Sequence, residues 1–435
     1  MSAFQALGIF LLVFLGTSLL FKLPMAFSMG LTCVAMIVFV GQPSLSLAQT
    51  SFASLDSFPF LAIPFFVFAG ALMQYSGIST SLVNFIQAFV GRLRGSLGAL
   101  LVLTSMAFGV LTGSTVATLS SIGKMMVPEL VKHGYKKSYA SALAAASGFL
   151  GILIPPSVPG IFYALAAGQN IAEVWIATAG PAIFIGLGYI IVNFLIHGRN
   201  EAKATEPLIF KSFTKNIVKQ TKNALPALLM PIIIFGGIYG GAFTPTEAGA
   251  VCGVYGIVYY IIKKLRGNKM DRTMWWIAVE SAGMTAVIAL GAAFSNAGGR
   301  MLTRVGVSHA LAEFITSNIS SPIAFLLLCN LIFLFLGMLI DINASILIMT
   351  PLLLPSVIAF GIDPVHFGAI MLVNLCVGYL TPPMAGSIFF ICRLCDESFV
   401  DVVREAWPFI IVGFLAILAT TFIPDLSLRL VHLVG

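Results

Sequence analysis

The sequence predicts an all-α polytopic membrane protein, folded as an inverted repeat with two re-entrant hairpins and two broken helices. Three observations carry this expectation. Of the 435 residues, 59% are hydrophobic and only 9% charged, with a mean hydropathy of +1.03. Ten apolar stretches are long enough to cross a bilayer. The second half repeats the first half's order of prolines and glycines.

A soluble chain carries about 25% charged residues, and one this apolar would expose large sticky patches. The hydrocarbon of a bilayer removes that problem. The 41 glycines and 21 prolines fit as well, both being commoner in membrane helices than in soluble ones. The net charge of +7 is small for the length and sits in clusters, so it bears on topology and not on nucleic acid. Of the six cysteines, Cys392 and Cys395 form a CxxC without a thioredoxin-like βαβ context, which reads as helix packing. The N-terminal MSAFQALGIFLLVFLGTSLLF lacks a basic n-region and a small-residue cleavage site and reads as a retained first span.

A span takes about 20 mostly apolar residues. The ten stretches lie near 4–21, 24–41, 60–76, 138–168, 173–196, 225–241, 247–263, 276–298, 364–392 and 406–427. Two of them, 138–168 and 364–392, are too long for one straight helix and contain paired prolines. Two further stretches, 97–131 and 321–360, each have a polar, glycine-containing interruption. Arg92 and Arg94 precede 97–131, and Lys132, Lys136 and Lys137 follow it. Two basic ends on one side make it a re-entrant hairpin or two short spans, and limbs of no more than about 17 residues favour a hairpin entering from the cytoplasm. The 321–360 stretch has no Lys or Arg at either end and reads as a hairpin from the other side. The linker 198–224, KKLRGNK at 263–269, Arg393 and Arg404 are assigned to the cytoplasm, and 42–57, with only Asp56, to the periplasm.

These assignments give the halves opposite topology. Pro128, Gly134, Pro155 and Pro156 correspond to Pro355, Gly361, Pro382 and Pro383, and SGISTSLVNFI (76–86) to VGVSHALAEFI (305–315). Inverted repeats with broken helices are the architecture of secondary transporters, with the site near mid-membrane at the repeat interface. The expected organisation is scaffold spans at 1–76, and an arm helix, hairpin and broken helix at 77–172. A last span and basic linker fill 173–224. The second repeat follows as scaffold spans at 225–304, arm, hairpin and broken helix at 305–392, and a last span at 393–435.

Backbone polar groups freed inside a membrane need a partner, so breaks persist where they face a cavity, an ion or a substrate. Four breaks stand out: GVLTGSTVATLSS (109–121), GMLIDINASI (337–346), GILIPPSVPG (151–160) and GYLTPPMAGS (378–387). A hard cation such as Na⁺ wants oxygen ligands. The first repeat offers Ser114 and Thr115 beside Thr112, with carbonyls near Gly151 and Pro155. The second offers Asp341 beside Asn343, carbonyls near Gly337, Gly378 and Met384, and the Thr381 hydroxyl. Helix N-termini at the tips favour an anion between them, near Thr112, Gly113, Ser157, Asn343 and Pro383. Asp341 is the sharpest single residue, since ionisable groups deep in a membrane are functional by default. Lys124 reads as snorkelling to the cytoplasm, and Arg300 and Arg304 as lying at a membrane surface.

GGAFTPTEAGAVCG (240–253), GSTVATLSSIGKMMVPEL (113–130), LIPPSVPG (153–160) and GYLTPPMAG (378–386) resemble, in the same order, stretches of the TRAP-transporter large membrane subunit, the M or DctM family. The resemblance covers essentially the whole chain, and TPTEAGA is its most specific piece. It implies an elevator-type transporter in the bacterial inner membrane. Uptake would be coupled to Na⁺ and would carry a small organic anion such as a sialic acid or a C4-dicarboxylate. It also implies a small four-helix membrane subunit (Q) and a periplasmic substrate-binding protein (P) as partners. The family's sodium sites carry over to the breaks around Ser114, Pro155, Gly337, Gly378, Thr381 and Met384. Ile154 stands where the second repeat has Thr381, so the two sites are expected to differ.

Rival readings fare worse. A channel needs a ring of charges or a carbonyl-lined pore, and none is visible. An intramembrane hydrolase built on Ser114 or Ser157 lacks a base, since His133 and His366 fall near membrane faces. A stand-alone sodium–anion symporter shares the hairpin plan, and TPTEAGA argues against it.

Overall fold

The computed structural model describes residues 2–21, 23–90, 96–197, 210–268 and 270–434. Arg92, Arg94, Lys269 and linker residues 198–209 lie outside the described residues. Among the described residues, eight helices are long and apolar enough to cross a membrane, or nine if a bent pair counts as one span.

That bent pair is the first proline-broken stretch. Lys137–Leu153 and Val158–Ala167 meet at 42°. Its partner in the repeat runs as Pro364–Leu380 and Gly386–Cys395, interrupted at residues 381–385. Proline removes an amide donor and clashes with the preceding turn, so each Pro-Pro stops its helix. Pro155–Pro156 and Pro382–Pro383 both have cis peptide bonds. The two long interrupted stretches are hairpins. Ser96–Thr112 turns at Gly113–Ser114 into a second limb that starts at Thr115 and ends at Lys132. Pro322–Leu339 turns at Ile340–Asp341 into Ile342–Ala359.

Arm helices precede both hairpins. Ile78–Val90 packs on Phe210–Pro231 and on the first hairpin, and Val307–Asn318 packs on the second hairpin. The spans expected as scaffold gather around Met274–Arg304, a 31-residue helix that touches Met25–Val40, Ser44–Leu55, Ala62–Tyr75 and the hairpin limb Ile342–Ala359. Pro245–Leu265 lies along Ala62–Tyr75 and opens with a capping box, in which Thr244 and Glu247 satisfy each other's backbone amides. This is the structural use of the TPTE sequence.

The repeat reaches into side-chain contacts. Tyr139 Oη donates to Asn193 Oδ1 at 3.4 Å, and His366 Nε2 lies 2.8 Å from the Thr420 carbonyl. Positions 139 and 366, and 193 and 420, are equivalent under the repeat offset. Lys136–Glu405 (2.7 Å) and Lys137–Glu397 (3.3 Å) join the first broken helix to the region around the last span at the basic end.

Two segments differ from the sequence expectation. Residues 42–57 hold a helix, Ser44–Leu55, packed on the long scaffold helix. Its apolar positions are few and mixed with Ser, Thr and Gln, which hides it from a search for spans. The last span ends at Phe422, because Pro424 cannot continue it, and Asp425–Val434 folds back onto Ile171–His197.

Candidate functional site

Each hairpin lies against the broken helix of its own repeat, and glycine makes this possible. A Cβ on Gly109 would lie 2.2 Å from Gly151 Cα, and one on Gly378 would lie 2.8 Å from Gly337 Cα. Gly151, Gly337 and Gly378 are therefore crossing points where two backbones touch, and Gly109 completes the first crossing. At the first tip, Gly113 adopts φ +58°, and a Cβ there would meet the Pro156 carbonyl oxygen at 2.5 Å. That backbone conformation favours glycine and sets the turn.

The tips converge on one cavity of about 470 Å³ between the hairpins and the scaffold. Thr112, Gly113, Ser114, Thr115, Asp341 and Asn343 line it. Scaffold residues Gln74, Tyr75 and Glu280 line the opposite wall. Gly151, Pro155, Ser157, Gly337, Gly378, Thr381, Pro383 and Met384 do not reach its lining, although Val158, Pro159 and Tyr379 beside them do.

The hydroxyls and carboxylates have definite duties. Ser114 Oγ caps the second limb of the first hairpin, accepting from the Ala117 amide at 3.4 Å. Asp341, its equivalent, caps Ile342–Ala359 by accepting from the Asn343 and Ala344 amides at 3.0 and 3.3 Å. Ser157 Oγ caps Val158–Ala167 through the Gly160 amide at 3.2 Å, while its carbonyl accepts from Trp175 Nε1. Thr112 and Thr381 donate back to carbonyls four residues earlier, Phe108 and Val377. Their lone pairs remain available as ligands. Among the described residues, Thr115 Oγ1 and Asn343 Oδ1 are buried without a hydrogen-bond partner. Buried polar atoms are ordinarily paired, and with Glu280 Oε2 three unpartnered atoms belong to residues lining this cavity.

The N-termini of three helices face this space, at Thr115, Val158 and Ile342. A helix N-terminus presents partial positive charge and free amides. Two of the three carry neutral serine caps, and the third carries Asp341.

Glu280 is not among the residues that the sequence singles out. It sits seven residues into Met274–Arg304, close behind Asp271 and Arg272, and so resembles a charge at a helix end. The usable signal is an ionisable residue within the apolar 276–298 stretch. Its Oε1 accepts from Tyr75 Oη at 3.2 Å, and its Oε2 is buried without a partner among the described residues. Lys124, Arg300 and Arg304 are absent from the cavity lining. Arg304 instead donates to Ser46 on the Ser44–Leu55 helix.

Comparison with solved structures places the fold among membrane transporters. The YdaH transporter of Alcanivorax borkumensis aligns with a TM-score of 0.62 at 15% identity, covering 88% of this chain and 89% of that one. The sequence relatives that carry a functional name are permeases, not enzymes. The sialic acid TRAP transporter large permease protein SiaM of Vibrio cholerae is 33% identical over 94% of this chain and 95% of its own length. The isethionate TRAP transporter permease protein DctMQ of Oleidesulfovibrio alaskensis is also 33% identical, and the chain spans 63% of that longer protein. Residues 10–426 match the family model described as the tripartite ATP-independent periplasmic transporter, DctM component. With the match running through both hairpins and both breaks, this chain belongs to the DctM family of TRAP transporter large permeases.

Proposed function

We propose that this chain carries a small organic anion across the bacterial inner membrane into the cytoplasm, coupled to Na⁺. In this reading a periplasmic binding protein delivers the anion, and a small four-helix membrane subunit completes the permease. The hairpins and broken helices move together against the scaffold as an elevator.

The carrying observation is the asymmetry of the helix caps around one cavity. The N-termini at Thr115 and Val158 keep their positive ends because their caps are neutral serines. They suit an anion, with Thr112, Gly113 and Asn343 beside it; Ser157 and Pro383 are assigned to the same site although neither lines the cavity. Asp341 cancels the third terminus and suits a cation. One sodium ion is assigned to the Asp341 tip with Thr381 and the carbonyls near Gly337, Gly378 and Met384. A second is assigned to Ser114, Thr115 and the carbonyls near Gly151 and Pro155. Among the described residues, the charged side chains lining the cavity are two carboxylates, with no Lys, Arg or His. An anion entering such a space needs a cation with it, which is the physical basis of coupling.

The relatives named for sialic acid and isethionate support an acidic substrate, a carboxylate in one case and a sulfonate in the other. A cavity of about 470 Å³ accommodates a molecule of either size. The test is uptake into proteoliposomes holding this chain and its small subunit, with the binding protein outside. Uptake is expected only with an inward Na⁺ gradient and the binding protein together. Uptake driven by a proton gradient alone in sodium-free buffer would falsify the coupling.

A further inference from the structure

Glu280 has no part in the anion or sodium sites just described, yet it shares their cavity. It stands on the scaffold wall, across from the hairpin tips, with Tyr75 and Gln74. One oxygen is held by Tyr75 Oη at 3.2 Å, and the other is buried, unpartnered and without an ion pair among the described residues. The nearest cation in sequence, Arg272, lies over the Trp276 ring, 4.4 Å from its centroid. Trp276 in turn packs edge-on against Tyr75 at 5.3 Å. The carboxylate is therefore held by an aromatic cluster and has no ion-pair partner among the described residues.

Its position along the membrane is also defined. Tyr75 and Ser76 end a scaffold span, and Lys263 Nζ donates to the Ser76 carbonyl at 3.1 Å. Lys263, Lys264, Arg266 and Arg272 crowd this end, which the positive-inside rule places in the cytoplasm. Glu280 thus lies toward the basic end of the cavity, the end that the transport reading makes the cytoplasmic exit.

We propose that Glu280 is an anion-repelling residue of the static wall. It keeps the transported acid from settling on the scaffold and so lowers the affinity of the inward-facing site. An elevator needs its cargo held by the moving body alone, and a fixed negative charge on the opposite wall enforces this. Gln at this position keeps the size and the Tyr75 contact but offers an amide donor in place of the charge. This inference rests on the transport reading above.

The test uses the intact permease with its small subunit and binding protein in proteoliposomes at fixed internal and external Na⁺. The probe is whichever of N-acetylneuraminate, succinate and isethionate gives the largest wild-type uptake. Vesicles are preloaded with increasing unlabelled probe, and the internal concentration that halves uptake is read for wild type, Glu280→Gln and Glu280→Asp. For Glu280→Gln this concentration should fall about twofold to tenfold, the effect of one unit charge across a wet cavity. The external KM should stay at the wild-type value. Glu280→Asp, which keeps the charge, should behave as wild type. An unchanged internal value in the Gln variant overturns the proposal, as does an equal shift in Gln and Asp. Absence of wild-type uptake for all three probes instead overturns the transport reading, and this inference with it.

Discussion

Ser114 and Asp341 occupy the same place in the two repeats and give their helices the same service. Each caps the N-terminus of a hairpin limb from within the cavity wall. Only Asp341 adds a charge, so replacing it tests charge separately from capping. Asp341→Asn keeps an acceptor oxygen for the Asn343 and Ala344 amides. It should raise the Na⁺ concentration for half-maximal uptake by roughly tenfold while leaving membrane insertion intact. Thr381→Val should shift the same titration in the same direction, because it removes an oxygen beside the second break. An unchanged sodium titration in both variants would reduce Asp341 to a helix cap. The glycine crossings give a second test at this scale. Gly109→Ala places a Cβ 2.2 Å from Gly151 Cα, where neither backbone can yield cheaply. It should destabilise the detergent-solubilised protein by about 1–3 kcal/mol, read as a lower melting temperature. Gly8→Ala, with nothing within 4 Å, should be tolerated. Asp341 is legible in the sequence because a carboxylate in an apolar stretch has few innocent explanations. The glycine crossings are not, since a glycine that admits another backbone reads the same as one that merely bends a helix.

At the scale of elements, punctuation decides what the sequence reveals. Both hairpins are visible because polar, glycine-bearing tips interrupt stretches too long for one helix, and both breaks because proline pairs stop helices. Ser44–Leu55 escapes notice because it is short and mixed in polarity. The fold-back at Asp425–Val434 escapes because its apolar residues continue the pattern of the span before it. Entry of the first hairpin from the cytoplasm is a matter of charge, and it makes a direct prediction. Single cysteines at Arg94 and at Lys136 should both react with an impermeant maleimide from the cytoplasmic side. Labelling of the two from opposite faces would turn the hairpin into a crossing segment.

At the scale of the whole molecule, contacts tie the broken helices of the two repeats to each other and to the last span. The last span, Phe399–Phe422, packs on Lys137–Gly148, Pro364–Leu380 and Gly386–Cys395, the first limb of one broken helix and both limbs of the other. Tyr163 Oη donates to the Pro364 carbonyl across the repeats, and Lys136–Glu405 closes the same body at 2.7 Å. Inside the cavity Gln74 Nε2 donates to Ser120 Oγ at 3.3 Å, while elsewhere Met274–Arg304 packs along Ile342–Ala359 and Ala62–Tyr75 along Ser96–Thr112. If the hairpins and broken helices move as one body, the Gln74–Ser120 contact must break in every cycle and the Lys136–Glu405 contact must not. Paired cysteines distinguish these cases in a background with the six native cysteines replaced, five of which are buried and one half-buried. A short thiol crosslink between Gln74→Cys and Ser120→Cys should bring Na⁺-driven uptake to background, and reduction should restore it. The same crosslinker between Lys136→Cys and Glu405→Cys should leave uptake near that of the uncrosslinked pair. Two groups held 3.3 Å apart cannot follow a rigid-body displacement of several ångströms when tied, whereas two groups on one body lose nothing by being tied. Uptake that survives the Gln74–Ser120 crosslink would mean that the scaffold and the first hairpin stay together, and that access alternates through a smaller motion at the tips.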